Sequence, residues 1–413
     1  MAMFRYYLAL ARKNLFRNKR RTIITFLALA VGLWYFILLD SILQGFDRQS
    51  IDNFINLETS HLRLHAAGYW EKREDLPLDH LLYNVDKIMA QVRQTPDVQA
   101  TTPRLIFSAQ VNNGVDELPV MGAGIDPATD PAVFPLPKYL VEGSYLKPGE
   151  NGALLGKELA ELMDLKQGDI FTLIMRSESG AMQAIDLAVT GVLETPHPEV
   201  NNGLVYLPLD VAQKALNTAG GVSEIDIRAA GTKVVDSLKG KLEGIQGAGI
   251  YAYTWRDMAR DFLQMSEAER GYDLIMLVMV FVIALVGVVN TVLLATLERT
   301  REIGMLKAMG MTGREILFLF IAEAGYLGVL GGVAGVVLSV ATEFYLVNTG
   351  LDYSALLKDV NIGYPVAGIL YGEWNLPIMA LAFFFGIAVC VAASILPARR
   401  AAGMDAARAL RGA

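Results

Sequence analysis

The chain has 413 residues, of which 53% are hydrophobic and 19% are charged, and its formal net charge is −7. A mean hydropathy of +0.36 excludes an ordinary soluble protein, and the charged fraction excludes a chain buried wholly in lipid. We therefore expect one part in a membrane and another part folded in water. The acidic balance gives no support to nucleic-acid binding, which needs a basic surface.

Four apolar segments are long enough to cross a bilayer, whose hydrocarbon core of about 30 Å needs about 20 helical residues. They lie at residues 22–43, 272–297, 316–347 and 376–398. The first is too long for a cleaved signal peptide and no small-x-small site follows it, so we predict an uncleaved anchor. The single cysteine, Cys390, excludes an intrachain disulfide.

Lysine and arginine concentrate in short segments beside the predicted spans. The basic segments are residues 1–21, 298–315 and 399–413. The loop at residues 348–375 has one basic residue, Lys358. Because basic residues stay on the cytoplasmic side, we predict a bacterial inner-membrane protein with four spans and both termini in the cytoplasm. The first basic segment is also predicted as an amphipathic helix, which either rests on the anionic inner leaflet or is a plain basic flank.

Residues 44–271 are predicted to lie outside the cytoplasm, where their 20 basic and 32 acidic residues give a net charge of −12. Residues 45–57 and 256–270 are predicted to form stalk helices that carry this domain. Proline-rich residues 127–148 are expected to form a surface connection. Strand-like and helix-like runs alternate elsewhere, which predicts an α+β domain of two subdomains. Helices are expected at residues 85–94, 154–162, 209–216 and 232–242, and strands at residues 61–65, 170–175, 186–193, 204–207, 224–228 and 249–253.

The second and third predicted spans are joined by a compact elbow at residues 298–315. A short amphipathic helix is expected there, with Ile303, Leu306 and Met309 on one apolar face and Gly310 as its C-terminal cap. An exposed apolar face on a short helix suits docking into a groove on a partner protein. We therefore predict that the elbow is a docking site.

The third span carries two acids and a row of glycines. Glu323 is expected to face protein, because a carboxylate in lipid is costly. It either links to the elbow through Arg299 or Lys307 or bonds to a neighbouring helix. Glu343, near the outer end, is expected to reach water. Small residues four apart predict close helix packing, within one chain or across a dimer, and the glycines concerned are Gly328, Gly331, Gly332 and Gly335.

Aromatic and methionine side chains near the predicted outer membrane surface are candidates for lipid or substrate access, since such adaptable surfaces suit acyl chains. The alternative is packing of one stalk on the other. The candidates are Phe46, Phe54, Phe262, Met265 and Tyr272.

Catalytic and cofactor motifs are absent from the sequence. It contains no G-x-x-x-x-G-K-[ST] phosphate loop. The four histidines, His61, His65, His80 and His197, show no metal-ligand spacing and are expected at the surface. We predict neither enzymatic activity nor a cofactor or metal in this chain, so energy must come from a partner.

The elbow run ERTREIGMLKAMG resembles the hallmark of the FtsX/MacB-type (type VII) ABC permeases. The tail at residues 397–402, the opening at residues 9–22 and the outer run at residues 154–174 are similar to the same family. Within it, the runs at residues 121–127 and 154–158 most resemble the LolC/LolE lipoprotein-releasing type.

The resemblance implies a MacB-like periplasmic core domain and a permease dimer, homo- or heteromeric, that works with a separate pair of ABC ATPase subunits. ATP and magnesium would be bound by that partner ATPase. A periplasmic chaperone or adaptor and membrane lipids are further expected partners. The elbow would be the coupling helix, with Glu298, Arg299, Arg301, Glu302, Ile303, Leu306, Lys307 and Met309 as its ATPase-coupling residues.

Three functions are compatible with this resemblance. The first is extraction of lipoproteins or lipids from the outer leaflet of the inner membrane. The second is MacB-like efflux of drugs or peptides, and the third is FtsX-like mechanical transmission to a periplasmic partner. The large outer domain counts against the third, and the absence of catalytic motifs counts against a membrane-anchored enzyme.

Overall fold

The structure is a computed structural model, and it describes residues 2–17, 19–245, 249–266, 300–352 and 368–403, with single positions between 271 and 289. It divides into two compact units. The membrane unit, named for its long apolar helices, comprises Met1–Asp47, Ser266–Leu351 and Leu370–Ala413. The sheet unit comprises Arg48–Met265 and Asp352–Ile369.

Helices and strands are numbered in chain order over the described residues. The helices are α1 (Ala2–Arg17), α2 (Lys19–Phe54), α3 (Val85–Arg93), α4 (Asp130–Val133), α5 (Lys157–Leu162), α6 (Pro198–Gly203), α7 (Leu209–Leu216), α8 (Val235–Ile245), α9 (Trp255–Met258), α10 (Thr300–Ala308), α11 (Gly313–Thr349) and α12 (Leu376–Gly403). The strands are β1 (Leu62–Ala66), β2 (Val98–Asn112), β3 (Glu117–Ile125), β4 (Leu140–Gly143), β5 (Gly152–Gly156), β6 (Ile170–Arg176), β7 (Met182–Leu193), β8 (Leu204–Pro208), β9 (Glu224–Ala229), β10 (Ile250–Thr254), β11 (Leu351–Asp352) and β12 (Ile369–Leu370).

Three of the described helices are long and apolar enough to cross a membrane. They are Thr22–Thr59, Gly313–Thr349 and Leu376–Arg400, and they overlap the first, third and fourth predicted spans. The second predicted span, residues 272–297, lies outside the described residues apart from single positions. The count of four spans therefore stays a prediction.

The glycines of α11 allow close helix packing inside one chain. A Cβ on Gly328 would lie 2.8 Å from the Cα of Ile387 in α12. On another side of the helix, a Cβ on Gly335 would lie 2.9 Å from the Cβ of Leu33 in α2. Gly331 and Gly332 meet α2 and α12 in the same way, through Leu29 and Phe383. Since real Cβ atoms do not approach so closely, the predicted packing role is an intrachain one.

The larger part of the sheet unit is a closed barrel of six strands. Strand β2 pairs with β3, β3 with β8, β8 with β5, β5 with β7, β7 with β6, and β6 with β2. Inward-facing apolar residues of all six strands fill the interior, as small barrels require. Gly122 leaves room for the Phe107 ring, which would lie 2.3 Å from a Cβ there. The interior residues include Phe107, Val120, Leu155, Phe171, Leu187 and Val205.

The first half of β2 also belongs to an open antiparallel sheet, in the order β10-β1-β9-β2. Helices α3 and α8 contribute Met89 and Leu238 to a core shared with Leu62 and Ile225 of this sheet. Two cores that share one strand agree with the predicted α+β domain of two subdomains.

Two expectations about the segments of this unit are wrong. Leu154 and Leu155 belong to β5 rather than to a helix, because they are buried between β7 and β8, and α5 begins only at Lys157. The proline-rich segment is not a surface connection, because Phe134 and Leu136 are fully buried in a third core cluster. The segment contains two short helical turns, and each has a proline in its first two positions.

We expect Gly328→Ala to destabilise the membrane unit by about 1–3 kcal/mol, because its Cβ would clash with the backbone of α12. Gly325→Ala, one turn away, is the matched control, since its nearest neighbour is a Val391 methyl at 4.0 Å. Both changes give the same gain in helix propensity. Thermal unfolding of the detergent-solubilised chain measures the difference, and equal melting temperatures would contradict the packing role.

Candidate functional site

In the elbow of the membrane unit, helix α10 ends and helix α11 begins within a few residues. Gly310, with φ of +96°, ends α10, and the Met311 amide donates to the Leu306 carbonyl at 3.1 Å. This confirms the predicted cap, since glycine tolerates the left-handed conformation. Thr312 then starts α11 in a reciprocal capping box with Glu315. The direction of the chain is thus set by local hydrogen bonds.

The prediction of the exposed apolar face of the elbow is wrong for Ile303. Ile303 is only 2% exposed and packs against Ile316, Phe320 and Ala398. It cannot share a face with Met309, because six residues at 3.6 per turn place the two side chains about a third of a turn apart. Leu306 is half-buried. The exposed apolar pair is one turn apart, and consists of Met305, 48% exposed, and Met309, 74% exposed.

Lys307 fastens the elbow to the end of α12. Its Nζ donates to the Ala402 carbonyl oxygen at 2.6 Å, a favourable position for a cation at a helix C-terminus. Glu302 is half-buried on α10. Glu298, Arg299 and the side chain of Arg301 lie outside the described residues.

Helix α1 lies along α11 through two polar contacts. Tyr7 Oη donates to Glu315 Oε1 at 2.6 Å, and Asn14 Nδ2 donates to Glu323 Oε1 at 2.7 Å. Ala11, on the same side of α1, is fully buried. The structure has a helix at this position, and Ala11 and Leu15 on its apolar face are buried against protein. Glu323 therefore has the helix-to-helix bond that was one of the two alternatives.

Glu343 does not reach water, contrary to expectation. It is fully buried on α11. Leu346, one turn further along the helix, is also buried and approaches Gly372. The chain after β12 therefore covers this end of α11.

The candidate residues for lipid access differ in their surroundings: two of them pack on each other, and another is exposed. Phe54 and Phe262 stack on each other with ring centroids 5.6 Å apart, which is the stalk-packing alternative. Met265 is 46% exposed, and Phe46 is half-buried in the membrane unit. Tyr272 lies outside the described residues.

A cavity of about 220 Å³ opens in the sheet unit between the open sheet and the barrel. Buried charges form part of its wall. Arg63 Nε lies 2.8 Å from Asp226 Oδ1, and its Nη1 lies 3.1 Å from Glu224 Oε2. Arg104 donates from Nε to Asp130 Oδ1 at 2.7 Å and from Nη2 to Asp130 Oδ2 at 3.0 Å. Paired in this way, the buried charges hold the surrounding backbone rigidly.

Three of the histidines are buried rather than exposed, so that expectation is wrong. His61 is 8%, His65 is 2% and His197 is 5% exposed. Burial, and to a lesser extent the Arg63 charge, lower the pKa of His65 to about 3. Its Nδ1 lies 2.9 Å from the Ser223 carbonyl, and its ring stacks on Tyr69 at 4.4 Å. A neutral imidazole with a backbone partner and an aromatic neighbour fits a structural role.

On another wall of the cavity, Glu58, His197 and Glu199 come together. One ligand-type atom from each lies within 4.8 Å of the other two, and His197 Nε2 is 2.8 Å from Glu58 Oε2. Partial burial of its carboxyl group raises the pKa of Glu199, and the nearby Glu58 charge also raises it. Sequence reasoning missed this cluster, because it considered histidines alone and Glu58 is far away in the chain. The close pair His197 and Glu199 was the one available signal.

Two family models match the chain. The MacB-like periplasmic core domain matches residues 22–245, and the C-terminal part of FtsX-like permeases matches residues 274–406. The chain therefore belongs to the FtsX/MacB-type ABC transporter permeases. The inserted domain is confirmed as a MacB-like periplasmic domain.

Curated relatives extend along nearly the whole chain. The lipoprotein-releasing system protein LolC of Xylella fastidiosa is 24% identical over 405 residues, 93% of this chain and 92% of LolC. LolE of Haemophilus influenzae is 22% identical and covers 93% of this chain and 92% of its own length. The macrolide export ATP-binding/permease protein MacB of Pasteurella multocida is 24% identical over 81% of this chain and 52% of MacB. These relatives share the ABC permease class, whose members work with ATPase partners.

We expect His65 to contribute a loss of stability of the periplasmic domain on acidification, because its folded-state pKa, about 3, lies below its ordinary value of 6.5. The unfolded state therefore binds the proton first as pH falls, and this histidine alone costs about 2 kcal/mol at pH 5. His65→Gln should reduce the loss of unfolding free energy between pH 7.5 and 5.0 by that amount. The more exposed His80→Gln, as control, should keep the wild-type slope. An unchanged slope in His65→Gln would contradict this assignment.

Proposed function

We propose that the chain is the permease subunit of a transporter that extracts lipoproteins or lipids from the outer leaflet of the bacterial inner membrane. The observation that carries the proposal is the near-complete alignment with LolC and LolE, whose names describe lipoprotein release. In this arrangement the chain crosses the membrane four times with both termini in the cytoplasm. A second permease subunit, of the same or another kind, completes the dimer.

ATP hydrolysis is performed by a separate pair of ATPase subunits, which bind ATP and magnesium. The elbow receives their movement. Its exposed Met305 and Met309 offer an apolar contact of the helix-in-groove kind. Ile303 and Lys307 hold α10 against α11 and α12, so a displacement of the elbow moves long helices rather than a loose loop.

Movement reaches the periplasmic domain along continuous helices. Helix α2 runs without interruption from Lys19 to Phe54 and continues as a π-helical turn at Ile55–Thr59. A helix of this length is stiff enough to transmit a displacement across a bilayer. The periplasmic domain then releases the substrate from the outer leaflet, to a chaperone or adaptor.

MacB-like efflux of drugs or peptides is the second candidate function. The similarity to MacB over 81% of this chain favours it. The same elbow and helices would transmit the movement in either case, so the two functions differ in the substrate. FtsX-like mechanical transmission without a transported substrate has no specific observation in its favour.

We expect Met305→Asp combined with Met309→Asp to abolish co-purification of the ATPase, or to uncouple its ATP turnover from the permease. Charged side chains would remove the exposed apolar contact without touching the buried Ile303. The control is Met182→Asp in β7, a methionine that is 62% exposed in the periplasmic domain. If the double variant forms the complex and hydrolyses ATP as the wild type does, the elbow is not the docking site of the ATPase.

We expect a photo-crosslinker at Met265 to capture an acylated protein in membranes that synthesise lipoproteins. Met265 is exposed, unlike the other access candidates that the structure describes, and methionine surfaces accommodate acyl chains. A crosslinker at Val115, 88% exposed on the β2–β3 turn, is the control and should not capture it. Capture of small hydrophobic compounds alone would favour efflux.

A further inference from the structure

We propose that Glu58, His197 and Glu199 form a binding site for one divalent transition-metal ion, and that Zn²⁺ is the ion which the donor set fits best. The site lies on the wall of the periplasmic cavity. It connects the segment directly after α2 with the loop between β7 and β8. It does not depend on which substrate the transporter carries.

The first argument is the chemistry and spacing of the donors. One imidazole nitrogen and two carboxylate oxygens lie within 4.8 Å of one another. An ion among them would bring each donor to about 2.0–2.2 Å, which places donors about 3–3.5 Å apart. Small side-chain movements close that gap. Three protein ligands leave a fourth, open position toward the cavity.

The second argument is charge. Glu58 and Glu199 repel each other, and over the described residues neither carboxylate forms an ion pair with a lysine or arginine. A divalent ion among these three donors would neutralise both carboxylates at once.

The third argument is that the backbone around each ligand is held in place. The Glu58 carbonyl accepts from the Arg63 guanidinium, which is itself bound by Glu224 and Asp226. Preorganisation of this kind is what separates a binding site from a chance cluster.

The segment that carries the other two ligands, at the start of α6, is fixed in the same manner. Asn201 Nδ2 donates to the Thr195 carbonyl at 2.8 Å, and Thr195 N donates to Asn201 Oδ1 at 2.9 Å. The His197 amide donates to Thr195 Oγ1 at 3.2 Å. His197 Nδ1 is buried with no hydrogen-bond partner among the described residues, so this imidazole is not fully satisfied by protein contacts alone.

The choice of Zn²⁺ follows from the imidazole. Calcium and magnesium prefer sites made only of oxygen ligands, whereas a nitrogen donor beside carboxylates favours zinc and its neighbours in the first transition row. Bound there, the ion would tie the end of α2 to the barrel loop. The segment through which α2 enters the domain would then be stiffer with metal than without it.

The test uses the full chain in detergent, purified without a polyhistidine tag and stripped with a chelator. Titration with ZnCl₂ in a calorimeter should give one ion per chain and a raised melting temperature. CaCl₂ should bind at least tenfold more weakly. Glu199→Gln, a change at an exposed residue that should leave the fold intact, should weaken Zn²⁺ binding at least tenfold, and His197→Gln should do the same.

His80→Gln is the matched control, because His80 lies outside the cluster and should bind Zn²⁺ as the wild type does. X-ray absorption of the zinc complex should show a single imidazole among oxygen neighbours. Unchanged Zn²⁺ affinity in Glu199→Gln would overturn the proposal. Absence of stoichiometric binding, or equal binding of Ca²⁺ and Zn²⁺, would overturn it as well.

Discussion

Strand β2 connects the whole periplasmic domain through its backbone hydrogen bonds. Its first half pairs with β9 in the open sheet, and its second half pairs with β3 and β6 in the barrel. Buried backbone groups must keep their partners, so neither sheet can shift along β2 without losing hydrogen bonds that water cannot replace. The two subdomains are therefore expected to respond to a displacement as one body.

Buried charges reinforce the same junction. Arg104 lies on β2, pairs with Asp130 and stacks on the Phe134 ring at 3.4 Å. Arg63 on β1 is held by two carboxylates of β9. Leaving one member of such a pair without its partner is strongly destabilising, so the geometry of these strands is tightly specified. The cavity and its Glu58, His197 and Glu199 wall derive their rigidity from this arrangement.

In the membrane unit, close packing of the helices fixes their positions relative to one another. The glycines of α11 bring α2 and α12 within contact distance. The elbow is fastened to these helices by Ile303 and Lys307, so the one part that offers an exposed methionine pair is attached to the stiffest elements.

Hydropathy, charge and local sequence signals determined the membrane segments, the helix ends at the elbow and the family of this protein. The apolar segments at residues 22–43, 316–347 and 376–398, the cap at Gly310 and the capping box at Thr312 depend on neighbours in sequence, and the permease family follows from contiguous motifs. Only the tertiary structure decided which side chains are buried and which distant residues come together. Ile303 turned inward because α12 packs over it, and His65 is buried because β1 lies between two strands. The cluster of Glu58 with His197 and Glu199 exists only because the chain folds back on itself, a long-range event that no local pattern encodes.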